Sequence, residues 1–128
     1  MTITLILDDI DPKMLISANR RIHHHVRAEV ARYWRGLARD AAIAAYGHAE
    51  EGCSWHRRVH LTITVRYPDR RRRDVANLYP FVFKPCVDGL VDARVIPDDD
   101  DLRLVGPDPR RDRLRGPWRV AIQIIEEG

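Results

Sequence analysis

Hydrophobic positions along this chain follow two different periods. Ile3, Leu5 and Leu7 alternate with Thr2, Thr4 and Ile6, a short strand pattern that Asp8, Asp9, Asp11 and Pro12 end. A loop follows through Ser17-Ala18-Asn19-Arg20-Arg21. From Val26 the period lengthens. Val26, Val30, Tyr33, Trp34, Leu37, Ala41 and Ala44 predict a helix over roughly residues 24–46, with Gly47 as its stop. Val59, Leu61, Ile63, Val65 and Tyr67 then alternate with His60, Thr62, Thr64 and Arg66. This is the clearest strand, half-buried, and Pro68 ends it.

The next stretch mixes its signals. Pro80 suits a first helical position, but Pro85 would then lie inside the helix at a cost of about 3 kcal/mol. The sequence therefore predicts an irregular turn, with regular helix only from about Lys84. Phe83, Val87, Leu90 and Val91 make an apolar face; Lys84, Asp88 and Asp92 line the other. Gly89 weakens the helix by about 1 kcal/mol. Leu102 to Val105 reads as a short strand, Gly106-Pro107-Asp108-Pro109 as a turn, and Arg110, Arg111, Arg113 and Arg115 as a basic loop. Trp118, Val120, Ile122 and Ile124 alternate with Arg119, Ala121 and Gln123 as the final strand. The order β-α-β-α-β-β predicts an α+β domain over residues 1–128, with one mixed sheet of about four strands and two main helices on one face.

Composition adds a bias. The chain has 128 residues, the size of one domain that buries about two thirds of its unfolded surface. Of the 22 basic residues only Lys13 and Lys84 are lysines. Arginine binds phosphate through a two-pronged fork, so the bias favours a phosphate-rich partner; a genome whose codons favour arginine is the competing account. Cys53 and Cys86 form no CxxC pair and no disulfide framework, which makes a reducing cytosol the expected setting. No stretch reaches the roughly 18 apolar residues of a membrane span, and Met1 to Leu7 lacks the basic start of a signal peptide.

The chemistry concentrates between Asp69 and Asp101. Arg70, Arg71, Arg72 and Arg73 suit a polyanion, and Asp74 follows them directly. Asp98 to Asp101 are four adjacent carboxylates. Close like charges cost on the order of 1 kcal/mol in water and about 4 at an effective dielectric of 20, a cost that a bound cation removes. The run is no EF-hand loop, because Leu102 takes the fifth position and Pro109 the twelfth. Mg²⁺ fits better, since it needs few protein carboxylates and keeps waters for substrate phosphates. Both runs also read as solvated turns. Arg32, Arg35 and Arg39 share one helix face, either solvated or a second backbone contact. His23, His24 and His25 are three consecutive residues, which cannot all point at one ion from a helix. Cys53, His56 and His60 lack a fourth ligand spaced to close a structural zinc site.

Taken in order, Arg70-Arg71-Arg72-Arg73-Asp74-x-x-Asn77-Leu78, then Lys84-x-x-x-Asp88-x-Leu90, then Asp98-Asp99, resemble the RusA family of Holliday-junction resolvases. Ser17-Ala18-Asn19-Arg20 is similar to the asparagine–arginine segment before that family's first helix. The resemblance implies a small, dimeric, magnesium-dependent endonuclease that cuts four-way DNA junctions, with Mn²⁺ as a substitute metal, in a bacterial or phage-infected cytoplasm. It implies catalytic roles for Asp74, Lys84 and Asp99, metal ligation by Asp74, Asp98 and Asp99 with Asp88 in reserve, and DNA contacts from Arg70 to Arg73, Asn77 and Arg20. Two features depart from it. Ala76 stands where the family usually has a second aspartate, and the spacer from Leu78 to Lys84 is longer. Asp88, Asp100 and Asp101 are the candidates to replace the missing ligand, and Asn77 offers a neutral oxygen. Asp74 and the Asp98–Asp99 pair are expected to converge in space.

Overall fold

In the computed structural model, which describes residues 1–128, four strands and two main helices form an α+β domain. The strands are β1 (Thr2–Leu7), β2 (Val59–Arg66), β3 (Leu104–Arg111) and β4 (Arg119–Glu126), and the helices are α1 (His24–Tyr46) and α2 (Lys84–Asp92). The sheet runs in the order β1-β4-β2-β3. β4 is antiparallel to β1 and to β2, whereas β3 lies parallel to β2. A parallel neighbour needs a crossover, and the segment from Pro68 through α2 supplies it. The whole Asp69–Asp101 stretch is therefore this crossover and its return.

Alternation decides which sheet face is covered. Val59, Leu61, Ile63 and Val65 of β2 are fully buried, as are Val120 and Ile122 of β4. Their alternates His60, Thr62, Thr64 and Arg66 are only partly covered. Val30, Trp34, Ala38 and Ala42 form the buried side of α1. The helix is rotated slightly from the predicted face: Val26 is 41% exposed, while Ala38 and Ala42 are sealed. His23 caps its start through Nδ1, which accepts from the His25 amide. Gly47 ends it at φ 85°, its amide bonding the Ile43 carbonyl. No helix is long and apolar enough to cross a membrane.

The two helices pack closely, and Gly89 is the reason. A Cβ there would collide with the Arg35 carbonyl oxygen and lie 3.1 Å from the Ala38 Cβ. The glycine that weakens α2 as an isolated helix is thus the contact that lets α2 sit on α1.

The region after Leu102 departs from expectation. The predicted turn Gly106-Pro107-Asp108-Pro109 lies inside β3. Between the pairs His60↔Val105 and Thr62↔Asp108 the register shifts, so β3 carries a bulge there. Gly106 makes it at φ 93°, where a Cβ would meet the Leu61 carbonyl oxygen at 2.6 Å. An edge strand tolerates the missing N–H of Pro107 and Pro109. Glycine and proline therefore mark a bulged edge here.

Candidate active site

The run Asp69 to Asp74 leaves the end of β2 and turns across the sheet edge. Arg73 is the ordered member of the arginine run. Its guanidinium pairs with Asp69 at 2.5 Å, lies 4.4 Å from the Tyr67 ring centroid and 5.3 Å from that of Trp118. The Arg73 side chain is 19% exposed, so it faces the fold and holds the turn. That corrects its expected role as a DNA contact: two aromatic rings and a carboxylate already occupy the guanidinium. The hydrogen bonds from Arg73 and from the Arg71 amide hold the Asp69 carboxyl at about 2, well below its ordinary value. Arg70, Arg71 and Arg72 are exposed, and their guanidinium groups make no hydrogen bond or ion pair within the chain. They remain available to a polyanion, as does exposed Arg20.

Asp74 opens the next turn. Its carboxylate accepts from the Ala76 amide at 3.2 Å and so caps the 3₁₀ turn Val75–Leu78. The Asn77 carbonyl accepts from the Ala18 amide at 2.7 Å. This bond brings the Ser17–Arg20 segment beside Asp74, which follows it by 54 to 57 residues. Asp74, Asn77, Ser17, Asn19, Tyr67 and Trp118 line one pocket of about 360 Å³.

A single π-helical turn, Tyr79–Phe83, absorbs the Pro80 region and buries Phe81, Val82 and Phe83. It delivers Lys84 as the first residue of α2. There Lys84 Nζ donates to Asp88 Oδ1 at 2.6 Å and to Asp99 Oδ2 at 2.5 Å. One turn of helix sets the first pair, and the return loop brings the second across 15 residues. Burial would lower the Lys84 pKa, but hydrogen bonds and charge from the two carboxylates outweigh it and raise the value above the ordinary lysine range. Lys84 is an ammonium at neutral pH. Asp99 is shifted downward, chiefly by the hydrogen bond from Lys84 against an opposing effect of burial.

The aspartate run is divided as well. Asp98 accepts from the Asp99 amide at 2.8 Å. Asp100 caps the Leu102 amide and pairs with Arg103 at 2.9 Å, so it is a poor replacement ligand. Asp92 leaves the Lys84 face and bridges to Arg35 on α1 at 2.5 Å, which accounts for one arginine of that helix face. Asp88 is the acid nearest to replacing the one missing at Ala76, since it shares an ammonium with Asp99.

Asp74, Asp98 and Asp99 do not stand together as a set of three at ligand range, contrary to expectation; the only such group is His23, His24 and His25. Two attachments explain the separation. Asp74 is turned onto its own 3₁₀ turn, and Lys84 draws Asp99 toward α2. The histidines do gather, with ligand atoms within 4.8 Å of one another, because His23 is an extended cap residue outside the helix. All three are exposed at a helix N-terminus, whose dipole disfavours a cation. His56 is committed to Tyr46 at 3.0 Å and faces Glu126, while His60 pairs with Asp108 at 2.7 Å.

The donors around Lys84 and in the Asp74 pocket are hard carboxylate oxygens, partly open to solvent. They fit Mg²⁺ or Mn²⁺ and do not suit a soft metal. Sequence reasoning overlooked the aromatic pair Tyr67 and Trp118 behind the arginine run. The sequence places Arg111 in a loop, whereas it ends β3 and donates to the Arg71 carbonyl at 2.8 Å and to that of Asp69 at 3.2 Å. The basic stretch Arg110–Arg115 was the available signal. No protein-family model matches the chain, and no curated protein matches it.

Proposed function

We propose that this protein is a magnesium-dependent endodeoxyribonuclease that resolves four-way DNA junctions, acting as a homodimer on two opposed strands. One observation carries the reading: a charged lysine held between two carboxylates, Asp88 and Asp99, in the same crossover that opens with a turn of unpaired arginines. An isolated surface lysine needs no such pair, and a simple DNA-binding arm has no use for the acids.

Hydrolysis of a phosphodiester joins a water oxygen to phosphorus and breaks the bond from phosphorus to a sugar oxygen. Negative charge builds on the phosphate as this happens. Arg70, Arg71 and Arg72 hold the strand by its backbone and read little sequence. Lys84 donates to a phosphate oxygen. Because its pKa is raised it stays charged and acts by electrostatic stabilisation, not as a base. Asp74, Asp98 and Asp99, with Asp88, are the acids that would hold Mg²⁺ once Asp74 turns from its own backbone and Asp99 from Lys84, and the ion would supply Lewis-acid stabilisation of that charge.

A second reading rests on Ala76 and on the Asp74 carboxylate turned to its own backbone. It is a junction-binding protein that does not cut. The test is cleavage of a four-way junction, a flap and a linear duplex by purified protein, with and without Mg²⁺. Cleavage of the junction over the duplex only with Mg²⁺ supports the nuclease. Tight junction binding without any cut product supports the binder. Preference for the flap moves the substrate assignment to other branched DNA.

A further inference from the structure

The largest cleft of the molecule lies beside the Asp74 pocket, about 570 Å³ in volume. Its walls come from two places far apart in sequence. Asp69 and Arg70 follow β2, Arg111 ends β3, and Asp112 to Arg115 follow it. Only Tyr67 and Leu114 are apolar among its lining residues, which does not suit a small hydrophobic ligand.

The charges in the cleft are unequally engaged. Both of its carboxylates are already used: Asp69 takes Arg73 and the Arg71 amide, and Asp112 takes the Leu114 amide at 3.0 Å. Arg111 is spent on the backbone carbonyls of Asp69 and Arg71. Arg70, Arg113 and Arg115 are exposed and have no partner within the chain. The wall that carries the last two is nonetheless fixed. The Asp112 amide bonds the Val65 carbonyl at 2.9 Å, and the Gly116 amide bonds that of Tyr67 at 3.0 Å. A loop tied at one end to β2 and at the other to the residue just past it presents its cations at set positions, unlike a freely moving tail. Tyr67 lines this cleft and also the pocket of Asp74, so the two hollows share a wall.

We propose that this cleft, with Arg113 and Arg115 on one side and Arg70 on the other, binds phosphates of a nucleic-acid backbone and leads the strand past Tyr67 to Asp74. The proposal rests on the nuclease reading above and assigns the loop after β3 a part in it. Two or three phosphates of one strand would sit against the free guanidinium groups, with each contact releasing condensed counterions.

The test is fluorescence anisotropy of a labelled four-way junction and a labelled duplex over a salt series, with melting temperature as the check on folding. Arg113→Ala with Arg115→Ala should flatten the slope of log affinity against log salt by about one to two units, since each phosphate contact contributes roughly 0.9 on duplex DNA. Arg113→Glu with Arg115→Glu should weaken binding further. Leu114→Ala should leave the slope unchanged, which separates charge from disturbance of the loop. Inorganic phosphate at matched ionic strength should not displace the DNA; displacement would mark a free-phosphate site and overturn the backbone assignment. A wild-type slope in the double alanine variant, while the parent protein binds and cleaves, overturns the cleft alone. A parent protein that neither binds nor cleaves DNA overturns the nuclease reading and the cleft together.

Discussion

Arg70–Arg73 and Asp98–Asp101 are both runs of four like charges, each placed where the chain enters or leaves the crossover between β2 and β3. In each run the fold commits at least one member to structure, and in the aspartate run Asp98 also caps the Asp99 amide. Arg73 turns inward onto Asp69, Tyr67 and Trp118, and Asp100 turns back to Arg103. The runs differ in what is left. The remaining arginines have no partner, whereas Asp99 is held by Lys84. A run of charge is thus a mixture of anchors and free groups, and composition alone does not sort them. The arginine side keeps its free members open for a large anion. The aspartate side keeps one acid beside an internal cation, where a phosphate can compete for the lysine.

The sharpest way to break this contrast is to exchange acids within one run. Asp99→Asn removes one of the two carboxylate partners of Lys84 and should reduce Mg²⁺-dependent cleavage by at least about a hundredfold. Asp100→Asn should leave the rate within about threefold, because Asp100 serves Arg103. Single-turnover assays on both variants check this, and equal losses would show that the run acts as one acidic patch. Asp74→Asn should likewise abolish cleavage while leaving junction binding, as a ligand is lost without added bulk.

The scaffold beneath Lys84 and Asp88 gives the next largest effect. Helix propensity says that Gly89→Ala should stabilise α2 by about 1 kcal/mol. The clash with the Arg35 carbonyl oxygen reverses the sign, and a loss of about 1–3 kcal/mol is expected from overpacking. Urea denaturation of the variant decides between them.

Within the arginine run the effects separate by kind. Arg73→Ala should cost about 1–2 kcal/mol of stability through its lost stacking, with little change in the salt dependence of DNA binding. Arg71→Ala with Arg72→Ala should do the opposite: stability within about 0.5 kcal/mol of the parent, and a salt slope flatter by about one to two units. Denaturation and anisotropy on the two variants give the comparison directly.

The smallest effect is a titration. Asp69 should lose its charge near pH 2, as followed by carboxyl carbon shifts in NMR. Its folded pKa is depressed, so its contribution to stability is present above the ordinary aspartate value and is lost as pH falls through about 2. A value near that of a free aspartate would mean that Arg73 does not hold it.

Much of the fold is legible in the residue pattern because it depends on local periodicity. The alternation from Val59 to Val65 marks β2, and the spacing from Val30 to Ala41 marks α1. The pair Pro80 and Pro85 places the start of α2 at Lys84 by what each proline forbids. Part of the candidate site is local too, since Lys84 and Asp88 are one helical turn apart. Other features depend on partners that no local window contains. Arg73 meets Trp118 from 45 residues away, and Gly89 meets Arg35 on another helix. The Gly106–Pro109 segment reads as a turn until the neighbouring β2 gives its bulge a register. The expected meeting of Asp74 with Asp98 and Asp99 failed for a comparable reason: each acid has a nearer attachment that spacing does not reveal.

Lys84 lies between the two runs in the crossover and holds Asp99, and its replacement tests the central claim most directly. Lys84→Met keeps the stem and removes only the charge. Single-turnover cleavage of a four-way junction at saturating Mg²⁺ should fall by about a hundredfold or more, with folding and junction affinity near those of the parent. Cleavage within about threefold of the parent would contradict the account and reduce Lys84 to a surface ion pair.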